Sequence, residues 1–158
     1  MNLKILIFCF IFLLGFLSCA FIFYISDLSI EKPFASRILE NTAPSDWIKE
    51  NQVHFYENAV VIDVKNASLS HYADTGSMKP VLDKDSNGIR IIPENEEQIK
   101  VGDIVTFEKG EDLIVHRVIE KGKDEQGIYF ITKGDNAESE DGKIRFNQIK
   151  YVTIAVLW

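Results

Sequence analysis

The chain has 158 residues, with 17 basic and 24 acidic side chains and a net charge of −7 at pH 7. Only one of the basic residues, Lys4, precedes position 27, so the rest of the chain carries 16 basic against 24 acidic side chains. This acidity would repel phosphate backbones and argues against nucleic acid as a partner. Both cysteines, Cys9 and Cys19, lie in an apolar N-terminal stretch and indicate no disulfide in the remainder.

The first predicted element is an apolar helix. Residues Ile5–Ile25 are 21 consecutive uncharged residues, and as a helix they would extend about 30 Å, the thickness of a bilayer's hydrocarbon core. Lys4 precedes this run and Asp27 follows it, which favours a cytoplasmic N-terminus and an extracytoplasmic remainder. We expect a single-pass membrane anchor over residues 1–26, with the lipid bilayer as a partner.

A cleavable signal peptide is the alternative for this segment. Ser18-Cys19-Ala20 has the small-x-small pattern of a cleavage site. The apolar run continues beyond it through residues 21–25, which a mature soluble terminus would gain nothing by keeping. The retained anchor is therefore the preferred interpretation.

Two further regions follow the anchor. Residues 27–50 are predicted to form a juxtamembrane connection, with a short helix capped by Ser45 that carries Trp47 and Ile48. Residues 51–158 are predicted to form one β-rich domain, which is an ordinary size for a single domain. Asn66 opens a glycosylation sequon that an extracytoplasmic domain would expose to modification.

From position 53 onward, apolar residues alternate with polar ones. Val53 and Phe55 precede the turn residues Glu57-Asn58, and Val60 and Ile62 alternate after them, which predicts a hairpin. Further strands are predicted over residues 69–73, 88–92, 103–107, 113–119, 127–132 and 150–158. The turns between strands are predicted at Asn87-Gly88, Lys109-Gly110, Lys121-Gly122 and Asp141-Gly142. Many short strands with almost no helical periodicity predict an antiparallel all-β domain.

A candidate nucleophile lies between two residues that restrict the backbone. Gly76 allows a tight turn before Ser77, and Pro80 stiffens the exit from it. The Thr75 hydroxyl and the Ser77 backbone N–H are candidate oxyanion donors. Taken alone, Thr-Gly-Ser is also an ordinary turn sequence.

A candidate base lies 39 residues further on, in an apolar strand. His116 shares a predicted strand face with Ile114 and Val118. A core histidine that donates to a backbone carbonyl is the alternative interpretation. His54 and His71 are weaker candidates, because His54 has exposed neighbours and no motif includes His71.

The third motif supplies carboxylates. Lys133-Gly134-Asp135-Asn136 is followed by Asp141, six positions after Asp135. Considered alone, these residues are typical of hairpin turns, and Glu140 is an alternative to either aspartate.

In their order and approximate spacing, the three motifs resemble the type I signal peptidase family, in the serine–histidine branch of archaea and the endoplasmic reticulum. The resemblance covers residues 73–158. It implies a signal-peptidase-like catalytic domain in which Ser77 is the nucleophile, His116 the base and Asp141 the group that orients His116. Asp135 would be a structural or electrostatic support close to these catalytic residues.

The resemblance also implies an activity. The chain would be a membrane-bound serine endopeptidase that removes signal peptides from translocated precursor proteins, without a metal or organic cofactor. The substrate would lie extended and add a strand to the domain. The residues expected to contact it are Ala73, Asp74, Thr75, Met78 and Val115.

Alternatives remain open at this stage. One is a catalytically inactive, membrane-anchored β module that binds extended peptides. Another is a self-processing regulatory serine protease of related fold, although the absence of a lysine base and the presence of an anchor argue against it. The sequence leaves open whether accessory membrane subunits take part.

Overall fold

The computed structural model describes Lys4, residues 12–15 and residues 42–158. Lys4 and residues 12–15 are helical. Within the part of the chain so described, no helix has both the length and the apolar character needed to cross a bilayer. Most of the predicted anchor (1–26) and much of the predicted connection (27–50) lie outside the described residues, so both stay predictions.

The chain divides into two compact units, Met1–Glu40 and Asn41–Trp158, and the second contains every strand that the structure describes. The strands are β1 (Val53–Tyr56), β2 (Ala59–Ile62), β3 (Ser68–His71), β4 (Asn87–Ile91), β5 (Ile104–Lys109), β6 (Asp112–Asp124), β7 (Gly127–Lys133), β8 (Lys143–Ile144) and β9 (Ile149–Leu157). Two short 3₁₀-helices, Glu50–Gln52 and Phe146–Gln148, precede β1 and β9.

The strands form two sheets. β1 and β2 pair as the predicted hairpin, and the other strands form a seven-stranded sheet in the order β3-β4-β9-β5-β6-β7-β8. All the pairings are antiparallel. The predicted all-β antiparallel class is therefore confirmed for the described residues.

The predicted helix at Ser45 is wrong. Residues 42–49 are irregular, and the helical turn that follows them is the 3₁₀-helix at Glu50–Gln52. Ser45 instead binds the carboxylate of Asp103, which is distant in sequence. Its backbone N–H and its hydroxyl both donate to Oδ1 of Asp103, at 2.8 and 2.6 Å, and the Asp103 side chain is fully buried. Ser45 is therefore held against a carboxylate 58 positions further along the chain and does not begin a helix.

Two predicted turns are also wrong, because their glycines lie in strands. Gly122 pairs with Tyr129 inside the β6–β7 ladder, and Asn87-Gly88 begins β4. A Cβ atom at Gly122 would lie 2.4 Å from the Tyr129 ring. This glycine therefore makes room for an aromatic side chain on the neighbouring strand.

The seven-stranded sheet has apolar side chains packed on both faces. Successive residues of a strand point to opposite faces, and on β5 Ile104 and Val105 belong to two different clusters. The larger cluster comprises Ile99, Val105, Phe107, Val118, Phe130, Ile144, Ile149 and Val152. The smaller cluster comprises Met78, Leu82 and Ile104.

Strand β6 pairs with a different strand along each of its two halves, one on each side. β5 pairs with its first half, up to Arg117, and β7 pairs with its second half, from Arg117 onward. On the side of β7, residues 112–116 therefore have no strand beside them within the described sheet. This free edge places backbone donors and acceptors where an extended peptide can pair with them.

The fold requires glycine at position 102. Its φ angle is +101°, and a Cβ atom there would lie 2.1 Å from the Ala43 carbonyl oxygen. Gly110 also has a positive φ, +68°, but a Cβ atom there would meet nothing within 4 Å.

We expect Gly102→Ala to destabilise the chain by on the order of 3 kcal/mol, since backbone strain and a backbone clash act together. Gly110→Ala, with strain alone, should cost about 1 kcal/mol. Urea unfolding of both full-length variants, followed by tryptophan fluorescence, measures the difference. Equal losses in the two variants would contradict the close approach of Ala43.

Candidate active site

The loop after β3 presents Ser77. Gly76 has a φ of +69°, and Met78, directly after the serine, is buried in the smaller apolar cluster. The Met78 carbonyl accepts hydrogen bonds from the backbone N–H groups of Val81 and Leu82, at 3.0 and 2.9 Å. Because its neighbour is anchored in this way, Ser77 is held at a defined place while its side chain stays accessible.

The structure brings His116 next to this serine. Nε2 of His116 lies 3.1 Å from the Ser77 hydroxyl, and Nδ1 lies 2.6 Å from Oδ2 of Asp141. The imidazole is on the face of β6 that carries the larger cluster, 6.5 Å from the buried Phe107 ring between centroids. Its side chain is only 12% exposed. The mostly buried imidazole is thereby held between the Ser77 hydroxyl and the Asp141 carboxylate.

Asp141 is bound to residues of two strands, β7 and β5, which lie on either side of β6. Its Oδ2 also accepts a hydrogen bond from the Thr132 hydroxyl at 3.0 Å, and its backbone N–H donates to the Thr132 carbonyl at 2.9 Å. From β5, Nζ of Lys109 donates to the Asp141 carbonyl at 3.2 Å and lies 3.8 Å from Oδ1. These contacts fix the direction from which the carboxylate meets His116.

The turn that contains Gly134 and Asn136 joins the serine to the histidine. A Cβ atom at Gly134 would lie 2.6 Å from the Ser77 carbonyl and 2.9 Å from Nε2 of His116. The backbone N–H of Asn136 donates to the same Ser77 carbonyl at 2.8 Å. The close approach of the two loops therefore depends on a residue without a side chain.

Asp135 binds Arg117 rather than His116. Nε and a terminal nitrogen of Arg117 each donate to a different carboxylate oxygen at 2.7 Å. The side chains are 5% and 1% exposed. The arginine also donates to the carbonyls of Gly102 and Thr42, at 2.8 and 3.2 Å. Because Arg117 follows His116 in β6, this pair fixes the middle of the strand, directly beside the imidazole.

The two candidate oxyanion donors lie side by side. The Thr75 hydroxyl oxygen is 3.2 Å from the Ser77 hydroxyl oxygen. The Ser77 backbone N–H points to the Thr75 oxygen at 3.4 Å, a long contact that an approaching acceptor can replace.

A cavity of about 220 Å³ opens beside the serine and the histidine. Its lining residues are Tyr72, Ala73, Thr75, Gly76, Ser77, Met78, Leu82, Leu113, Ile114, Val115 and His116. Of the residues expected to contact substrate, only Asp74 is absent from the lining, and its carboxylate lies 3.6 Å from Nζ of Lys84. The Tyr72 hydroxyl lies 3.3 Å from the Thr153 hydroxyl. Burial raises the pKa of Tyr72, and its phenol is uncharged at neutral pH.

Sequence reasoning missed several residues of the site. Arg117, Thr132 and Lys109 contact the aspartates, and Tyr72 and Leu113 line the cavity. One signal was available, since an arginine inside an apolar strand needs a buried partner. The positions of the other residues depend on how distant strands pair.

A chain of hydroxyl, imidazole and carboxylate is the arrangement that activates an alcohol as a nucleophile. Within the described residues, no group of three or more histidine, cysteine and acidic side chains is placed to hold a metal ion. The catalytic roles of Ser77, His116, Asp135 and Asp141 stay predictions.

We expect Asp135→Ala to lower the free energy of unfolding by about 3–5 kcal/mol, because it leaves the buried Arg117 charge without a partner. Asp124→Ala is the matched control. Asp124 also pairs with an arginine, Arg145, but its side chain is 29% exposed, so its loss should be much smaller. Denaturant unfolding of the two variants gives the comparison, and an equally stable Asp135→Ala would contradict the structural role.

Comparisons with known proteins give a partial match. The signal peptidase complex catalytic subunit SEC11 of Clavispora lusitaniae is 41% identical over 71 residues, which cover 42% of this chain and 40% of that protein. The subunits SEC11C of Homo sapiens and Canis lupus familiaris are 41% identical over 70 residues, or 42% of this chain and 36% of theirs. The match spans about two fifths of the length of these curated relatives.

No family model matches the chain. No solved structure matches it either. The identity to the SEC11 subunits nevertheless confirms the resemblance inferred from the motifs: the matched part of the chain is related to the type I signal peptidase family, in its endoplasmic-reticulum branch.

Proposed function

We propose that the chain is a membrane-bound serine endopeptidase that cleaves signal peptides from translocated precursor proteins. The observation that carries this proposal is the continuous chain of hydrogen bonds from Ser77 through His116 to Asp141, at 3.1 and 2.6 Å, at the edge of a mainly apolar cavity. The relatives support it, since they are named catalytic subunits of signal peptidase complexes.

In this mechanism the contact to Asp141 selects the tautomer of the base. Nδ1–H of His116 donates to the carboxylate, which leaves the Nε2 lone pair facing the Ser77 hydroxyl. His116 accepts the serine proton while the hydroxyl oxygen attacks the scissile carbonyl. The imidazolium then protonates the leaving amine, and water, deprotonated by the same nitrogen, releases the acyl group and restores Ser77.

The negative charge that develops on the carbonyl oxygen needs donors. The Thr75 hydroxyl and the Ser77 N–H converge on one side of the nucleophile. A preorganised donor of this kind is worth about 3 kcal/mol in the transition state. Thr75 and Ser77 together are the oxyanion site of the proposal.

The substrate is proposed to bind as an additional strand. Residues 112–116 of β6 have a free edge towards the loop of Ser77, and Ala73 lies across from it in the lining of the cavity. Main-chain pairing along this edge would bring the scissile bond to Ser77. A cavity of about 220 Å³ lined by Met78, Leu82 and Val115 accepts a small apolar side chain next to that bond.

The proposal includes a location and partners. Residues 1–26 would anchor the chain in the bilayer, residues 27–50 would connect it to the surface, and residues 51–158 would form the peptidase domain on the extracytoplasmic side. Tethering raises the effective concentration of the enzyme where precursors emerge. Because the relatives are named as subunits of a complex, we include accessory membrane subunits among the partners.

We expect Ser77→Ala and His116→Ala to lower turnover on the order of 10⁴-fold or more, and Asp141→Asn to lower it less. The measurement is cleavage of a membrane-presented precursor by the purified full-length chain, alone and in native membranes. His71→Ala is the control, since this histidine is exposed on the edge strand β3 and should leave turnover unchanged. Unchanged cleavage by Ser77→Ala would contradict the proposal, and an inactive wild type would favour a peptide-binding module.

The pH dependence distinguishes a histidine base from a lysine base. A protonated imidazole cannot accept the serine proton, so acid should lower kcat/KM. A rate that continues to climb above about pH 9 would indicate a lysine base and contradict the role of His116.

A further inference from the structure

The side chain of Asn136 makes a contact that the proposed mechanism does not use. Its Nδ2 donates to the Gly76 carbonyl at 3.1 Å, while its backbone N–H donates to the Ser77 carbonyl at 2.8 Å. Asn136 lies on the turn after β7 and, across 60 positions of sequence, holds two consecutive carbonyls of the loop that carries the nucleophile.

The geometry of the peptide group gives this contact a consequence. The carbonyl of Gly76 and the N–H of Ser77 belong to one planar trans peptide, so they point in opposite directions. A donor that holds the Gly76 carbonyl towards the turn therefore aims the Ser77 N–H to the other side. That side is occupied by the Thr75 hydroxyl oxygen, 3.4 Å from the Ser77 nitrogen.

The freedom of Gly76 makes such an anchor necessary. Its φ of +69° lies in the region that glycine visits readily, but glycine also reaches many other conformations at little cost. The Gly76 carbonyl also accepts from the backbone N–H of Lys79, at a longer 3.3 Å. With that contact alone, the peptide between Gly76 and Ser77 is freer to rotate and to turn its N–H away from the reacting carbonyl. The cluster around Met78 holds the loop on the far side of Ser77, and the Lys79 contact comes from the same loop, so Asn136 is what ties the Gly76 carbonyl to a different element.

We infer that Asn136 is a positioning residue that aims the Ser77 backbone N–H at the substrate's oxyanion. This inference rests on the proposed function and adds a residue to its oxyanion site. Asn136 contacts neither the substrate nor the base. It acts through the Gly76 peptide, and its effect belongs to the transition state, where the carbonyl oxygen gains charge.

The test is the kinetics of Asn136→Ala and Asn136→Asp in the full-length chain. Removing a complete oxyanion donor costs about 10²–10³-fold, so a misaimed donor should lower kcat by roughly 10- to 100-fold. KM should change little, because the ground-state contacts of the substrate are intact. Asn136→Asp keeps the shape of the side chain but replaces the donor by a carboxylate facing a carbonyl, so its loss should be at least as large.

Asn95→Ala is the matched control. The Asn95 side chain also binds backbone groups of a loop, accepting from the N–H groups of Glu97 and Gln98 at 3.1 and 3.2 Å, but the structure places it outside the cavity lining. We expect its kcat to equal that of the wild type. Thermal unfolding of each variant confirms that the rates refer to folded protein, and Asn136→Asp decides if Asn136→Ala does not fold.

A second readout is independent of precursor cleavage. A fluorophosphonate reacts with an activated serine through a transition state whose P–O oxygen needs the same donors, so Ser77 should be labelled more slowly in both Asn136 variants. If the wild type is labelled but leaves precursors uncut, the proposed function fails and the labelling rates still test Asn136. A kcat and labelling rate within about twofold of the wild type in both variants would overturn the inference.

Discussion

The buried ion pair between Arg117 and Asp135 is the constraint on which the rest of the site depends. It joins strand β6, one residue after His116, to the turn that leads to Asp141. Two opposite charges removed from water are costly to separate, because either one alone would remain unsolvated. The two hydrogen bonds of this bidentate pair, each 2.7 Å long, fix orientation as well as distance. The imidazole and its carboxylate partner are therefore held in register by charges that touch neither of them.

The turn of Gly134, Asp135 and Asn136 extends this constraint to the loop of Ser77. The glycine lets the turn approach the Ser77 carbonyl, the aspartate binds the strand of the base, and the asparagine binds the loop of the serine. Gly134 and Asn136 meet the loop of Ser77 and Asp135 meets β6, so the turn is connected to both elements. A motif that resembles an ordinary hairpin turn therefore connects three parts of the site in this chain: the end of β7, strand β6 and the loop of Ser77.

The sequence predicted strands where local patterns decide, and it failed where distant packing decides. The grouping of Ser77, His116 and Asp141 came from the family resemblance, and their catalytic roles stay predictions. Short apolar runs were sufficient to predict β5 and the first half of β6, where apolar side chains pack on both faces of the sheet. Gly122 was predicted to form a turn, because a glycine beside a lysine is typical of a turn. The alternative, a strand glycine that the Tyr129 ring approaches closely, depends on the position of Tyr129. Ser45 was predicted to cap a helix, since nothing local indicates that the buried Asp103 lies across from it. The pairing of Arg117 with Asp135 was likewise invisible without the register of β6.

The same packing explains why the site combines a mostly buried imidazole with a free strand edge. β6 leaves β7 at Arg117, so the residues before that point are covered on the face of Phe107 but unpaired along one edge. Had β7 continued alongside, its backbone would occupy the position proposed for the substrate. Had the Phe107 face been open, water would compete for the imidazole and weaken its bond to Asp141. The place where β7 separates from β6 therefore provides both the covered imidazole and the free edge. The buried Arg117, at the end of that edge, holds the strands in this arrangement.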